Sequence, residues 1–132
     1  MSCNMYSKIL QKKREHPNAP QMVTGVINED GSIKLDWDLD PNAQAYLTHY
    51  GEANESDPHN AKFMGYTETN SWTLSAENVP TLTTGDEIYL YVQAYFEKAP
   101  ADIETDVDKA AYLHDGDFTG SPWSEAAILT KD

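Results

Sequence analysis

Cysteine is almost missing from this chain: Cys3 stands alone among 132 residues. No intrachain disulfide can form, so the fold must rest on a buried core. Bases are also scarce. Nine Lys and Arg face 22 Asp and Glu, for a net charge of -13. That balance repels phosphates and weighs against a nucleic-acid partner. No apolar run approaches the ~18 residues that a membrane span requires. Met1 to Leu10 has neither an apolar h-region nor an A-x-A-like cleavage site. The expected route is therefore cytoplasmic synthesis without Sec export, which a virion component would share.

Catalytic signatures are lacking too. No H-E-x-x-H, G-x-S-x-G, P-loop or dinucleotide fingerprint occurs. His16, His49, His59 and His114 are scattered without ligand spacing. The chain is expected to be no enzyme and to need no cofactor. Apolar residues at 39% and aromatics at 11% are enough for a core, which excludes wholesale disorder.

Charge is unevenly placed. Residues 1–16 carry +3, from Lys8, Lys12, Lys13 and Arg14 against Glu15, and residues 17–132 carry -16. Residues 1–17 read as a basic tail, either solvated or in contact with the acidic body or a partner. Met5, Ile9 and Leu10 could mark one helical face, too short to be stable alone. His16-Pro17-Asn18-Ala19-Pro20 then breaks any helix, and residues 18–132 form the domain.

From Gln21 onward the pattern is strand, turn, strand. Met22 to Ile27 and Ser32 to Trp37 flank the turn Asn28-Glu29-Asp30-Gly31. Ile33, Leu35 and Trp37 share one face. Ala45–Tyr50, Lys62–Thr67, Ser71–Leu74, Glu87–Phe96 and Ser124–Thr130 complete seven strands. Seven strands at this spacing, with no long helix, predict an all-β antiparallel sandwich.

Four segments occur in an informative order. They are Ala19-Pro20 followed by Ser32-Ile33-Lys34-Leu35-Asp36-Trp37-Asp38, then Tyr46-x-Thr48-x-Tyr50-Gly51-Glu52, then Leu82-Thr83-Thr84-Gly85-Asp86 leading into Leu90-x-Val92-x-Ala94, then Gly120-Ser121-Pro122-Trp123-Ser124-Glu125 before Ile128-x-Thr130. Together they resemble a fibronectin type III domain over about residues 18–131. The resemblance implies a seven-stranded immunoglobulin-like sandwich with Trp37 in its core. On the sixth strand Ile88, Leu90, Val92 and Ala94 would face inward, and Tyr89, Tyr91, Gln93 and Tyr95 outward. Two features depart from that family. Ile88 stands where its corner tyrosine is usual, at a cost of about 1 kcal/mol for one lost hydrogen bond. The stretch 96–122 is about three times the usual connection, which adds only about 1 kcal/mol of loop closure.

Within that insertion, Ile103, Val107 and Ala110 or Ala111 recur near helical spacing. Thr105-x-x-Asp108 resembles a cap, and Gly116 a stop. A short helix within 102–114 is expected to cover one end of the sandwich. Seven acids (Glu97, Asp102, Glu104, Asp106, Asp108, Asp115, Asp117) raise a calcium site as a reading, but their spacing is not that of an EF-hand. A solvated face is the reading preferred for them, and for the alternating Asp36, Asp38 and Asp40.

Tyr89, Tyr91 and Tyr95, with His49 on the neighbouring strand, are the candidate contact face, because tyrosine joins apolar area to a polar tip. The alternative is that the insertion folds over this face, with Tyr112 and Phe118 as its cover. His49 is expected at the surface. The basic residues Lys12, Lys13 and Arg14 are further candidate contacts. The function expected is a non-catalytic structural or adhesion module, of a phage or prophage virion or a bacterial surface. It would contact a protein or a surface glycan, with homo-oligomers compatible. Carbohydrate binding is one alternative and an acidic DNA mimic another.

Overall fold

The computed structural model describes residues 15–132. Cys3, Met5, Lys8, Ile9, Leu10, Lys12, Lys13 and Arg14 lie outside the described residues. Seven strands form, as the alternation predicts: β1 (Thr24–Ile27), β2 (Ile33–Asp36), β3 (Ala45–Tyr50), β4 (Phe63–Thr67), β5 (Ser71–Leu74), β6 (Glu87–Tyr95) and β7 (Ala127–Thr130). They make two antiparallel sheets, ordered β1-β2-β5 and β4-β3-β6-β7.

Between the sheets lies the main core. Ile33, Leu35 and Trp37 meet Tyr46, Tyr50, Trp72 and the inward Ile88, Leu90, Val92 and Ala94 of β6. Trp37 packs edge-on against Tyr46 at 5.2 Å. The first turn is tight because Gly31 takes φ +92, a left-handed conformation costly to side-chain-bearing residues. Gly65 on β4 serves a different need. A Cβ there would overlap the Trp72 ring and Thr48 Oγ1, so only glycine lets the tryptophan close over β4.

Five strands are shorter than expected: β2, β4 and β6 lose only terminal residues, whereas β1 and β7 start two and three residues late. β1 starts at Thr24 because Met22 turns to φ 58. β7 starts at Ala127, not Ser124, because serine hydroxyls replace ladder bonds ahead of it. Val92 N–H donates to Ser124 Oγ (2.9 Å) and Ala94 N–H to Ser121 Oγ (2.8 Å). The Ser121 and Ser124 amides return bonds to the Ala94 and Val92 carbonyls. The insertion is thereby stitched to β6 before β7 begins.

The insertion carries one helix, α1 (Asp106–His114). Thr105 caps it by accepting from Asp108 N–H at 3.1 Å, the cap that the spacing indicates. Its position differs from expectation. It lies over β4 on the outer face of the four-stranded sheet rather than across an end of the sandwich. The reason is the apolar character of that face. Ala45, Leu47, Tyr66 and Tyr95 point away from the main core and need a cover. Ala99, Ala110 and Leu113 supply it, with Met64, Ile103 and Phe118 at the margin. The molecule therefore has two separate apolar clusters on either side of one sheet.

Candidate interaction surfaces

The tyrosine face exists as a face but not as a surface. Tyr89, Tyr91, Gln93 and Tyr95 do point away from the sandwich core, beside Leu47 and His49 of β3. The insertion then folds over them. Tyr95 is 3% exposed, Tyr91 8% and His49 2%, while Tyr89 and Gln93 stay half-buried. The expectation of a surface His49 is corrected here: the insertion and the lead-in to β7 bury it.

The covered hydroxyls are satisfied. Tyr95 O–H donates to Gln93 Oε1 (3.3 Å), Tyr91 O–H to the Ser56 carbonyl (3.3 Å) and Tyr89 O–H to Glu87 (3.1 Å). Burial pushes Tyr95 up to about 12, with Glu97 and Asp115 adding to the shift. Tyr66 is raised as well, first by burial and then by its bond to Glu68. It also accepts from Ala99 N–H at 3.0 Å, which ties the insertion to β4. Tyr66 and Tyr95 pack against the protein's own insertion and Tyr91 against Trp123, and these tyrosines stay neutral across the physiological range.

His49 lies at the end of this row. Its ring stacks on Trp123 at 4.3 Å and lies 6.0 Å from the His114 ring at the end of α1. Gln93 sets its tautomer. The amide Nε2 of Gln93 donates to the Ser121 carbonyl (3.0 Å), which leaves Oε1 to accept from His49 Nε2–H (3.0 Å). Burial, reinforced by His114 and opposed by the Gln93 bond, holds His49 down at about 4.

A different surface is open. β4 and β5 are end strands of their sheets, and the outer edge of each pairs with no strand among the described residues. Between them runs a groove of about 530 Å³. Tyr50, Phe63, Met64, Trp72 and Leu74 line it, and Val107 of α1 stands at its rim, 64% exposed. Neither edge carries a charge along Phe63–Thr67 or Ser71–Leu74. Natural edge strands are usually guarded by lysine, proline or a cover. Lys62, paired with Glu52 at 3.0 Å and lying over the Phe63 ring, and Asp106 also line the groove. Sequence reasoning missed this groove. The uncharged runs and the apolar Val107 in an acidic helical turn were the available signals.

Among the described residues, no three His, Cys, Asp or Glu side chains converge to hold a metal ion. No described helix is long and apolar enough to cross a membrane.

No family model matches the chain, and no curated protein matches its sequence. Solved structures do. A chain of a cytokine receptor complex aligns over 87% of this chain at 16% identity, with a TM-score of 0.56. This chain spans about half of that one, 51% of its length. The FN5 domain of Drosophila Lar aligns over 87% of this chain and 96% of its own, at 14% identity and a TM-score of 0.50. An Fn3-like protein from Clostridium thermocellum aligns over 86% of this chain and 92% of its own, at 18% identity and a TM-score of 0.47. The fold is that of a fibronectin type III domain, an immunoglobulin-like sandwich with a helical insertion between its last two strands.

Proposed function

We propose that this chain is a non-catalytic interaction module that docks an extended segment of a partner protein in the β4–β5 groove. The observation that carries this reading is the pairing of two unguarded, uncharged strand edges with an aromatic-walled groove between them. An extended peptide supplies what such a site lacks. Its backbone completes the edge hydrogen bonds, and alternate side chains enter the groove. The net charge of -13 favours a segment with Lys or Arg flanking its apolar residues. One structure sharing the fold is a cytokine receptor complex, which agrees with a role in protein contact.

The setting proposed is a phage or prophage virion or a bacterial surface. Mass by light scattering bears on it: a discrete oligomer favours a building block, a monomer a single docking module. The tyrosine row is not available as a platform for a sugar, because the insertion covers Tyr95 while Trp123 and the loop at Ser56 cover Tyr91.

The test is a library of synthetic extended octapeptides, apolar at alternate positions, with and without flanking Lys and Arg. Binding is read by fluorescence polarisation against the wild type, Val107→Asp and Thr73→Pro. Both substituted positions are exposed. The expected result is binding of the basic-flanked set, weakened at least tenfold by each substitution. Binding that ignores both substitutions, or no binding across the library, rejects the groove.

A further inference from the structure

α1 is held lightly. Only Ala110 and Leu113 of its nine residues are buried, while Val107 and Tyr112 are exposed. The cluster beneath it is separate from the main core, so the sandwich keeps its own interior if the helix leaves. At its C-terminal end His114 stands 6.0 Å from the ring of His49, a buried histidine with one polar partner. We propose that α1 is an acid-released strap: proton uptake by His49 frees the helix from the sheet and uncovers the apolar face of Leu47, Tyr66 and Tyr95, while the sandwich stays folded.

The surroundings of His49 leave no place for a charge. From β6 it faces Tyr91, its cross-strand partner, and Gln93, and from β4 it faces Met64. From the lead-in to β7 comes Trp123, and from α1 His114, whose Nδ1 is 3.0 Å from Asp115 Oδ1. Gln93 Oε1 already takes the Nε2 proton, so a second proton must sit on Nδ1. No carboxylate among the described residues bonds the His49 ring, and His114, its ring 6.0 Å away, opposes a charge on His49. A protonated His49 is therefore a buried, unpaired charge, and such a charge is relieved by opening the structure to water. The element that can open without breaking the main core is α1.

Burial holds His49 at about 4 in the closed form, against 6.5 when free. The open form binds the proton over the interval between these values, so acid favours opening. A His49 set wholly free by opening would raise the open fraction about 30-fold between pH 7.5 and pH 5, and Trp123 stacked on the ring keeps the rise below that ceiling. Val107 leaves with the helix, so the β4–β5 groove loses its rim too. The strap itself needs no ligand, and its test reads no ligand, so it stands or falls separately from docking at the groove.

The test is residue-resolved amide hydrogen exchange on the full chain at pH 7.5 and 5.0, corrected for intrinsic exchange rates. Amides of Lys109 to His114 are expected to exchange faster than those of Leu35 and Leu90 at both values. Their protection should fall on acidification, by several-fold and by no more than about 30-fold. His49→Phe keeps a ring against Trp123 but takes no proton, and should abolish that fall; His114→Gln should leave most of it. One common rate for α1 and the core overturns the proposal. So does helix protection that ignores pH, or an undiminished fall in His49→Phe. An NMR titration of the wild-type His49 ring gives an independent reading should that variant not fold: a midpoint near 6.5 with the helix closed overturns it as well.

Discussion

Leu113→Ala tests whether the insertion is a built part of the molecule. Leu113 is 0% exposed and packs in the outer cluster with Leu47, Tyr66 and Tyr95. Burying a leucine side chain contributes roughly 1.5–3 kcal/mol, and a Leu→Ala change in a core costs about 2–5 kcal/mol once the cavity is included. Here the cover is a single helix anchored by two buried residues. It can settle toward the sheet and fill part of the space, which places the cost at the lower end, about 2–3 kcal/mol. For a chain of this size that lowers the melting temperature by roughly 10 °C. Urea unfolding of the wild type and the variant, followed by tryptophan fluorescence, gives the difference directly. Val107→Ala is the internal control, since Val107 is 64% exposed and should change stability by less than about 0.5 kcal/mol. A loss below about 1 kcal/mol for Leu113→Ala refutes the second core.

Three further outcomes follow from the same geometry. Gly65→Val should cost at least about 3 kcal/mol or prevent folding, because its side chain would displace the Trp72 ring, and thermal unfolding checks it. Thr105→Ala removes the cap of α1 and should cost about 1 kcal/mol, read as faster exchange of the Asp108 amide. For pH, the folded state holds His49 neutral down to about 4 while the unfolded chain takes a proton near 6.5. The unfolded state thus binds more protons in that interval, and stability declines as pH falls from about 6.5 toward 4, by at most about 3 kcal/mol. Urea midpoints at pH 7 and 5 should show this decline in the wild type and lose most of it in His49→Phe.

The alternation of β6 was legible because both of its faces are decided by side-chain chemistry. Ile88, Leu90, Val92 and Ala94 can only face inward, which turns Tyr89, Tyr91, Gln93 and Tyr95 outward. What lies above that outer face was not legible. Tyrosine suits a wet surface and a half-polar interior equally well, and the choice was made largely by residues elsewhere in the chain, Ala110, Leu113 and Trp123. The helical stripe of the insertion was readable through Ile103 and Ala110, and Thr105 marked the start. Yet Val107, counted on the same stripe, ends at the rim of the groove instead of under the helix. His49 illustrates the limit most clearly. Its alternation put it outside the sandwich, correctly, but its burial depends on Trp123 stacking back from the far side of the insertion. The groove depends on two edges from different sheets meeting, a property of topology rather than of either strand.

The docking surface is tested most directly by backbone amide shifts during titration with the tightest basic-flanked octapeptide. Docking in the groove predicts shifts concentrated at residues 62–65, 71–75 and 106–107, with the peptide amides becoming protected from exchange as a strand is added. Shifts centred on β1 and β7, or spread over the acidic surface and abolished by moderate salt, would contradict it.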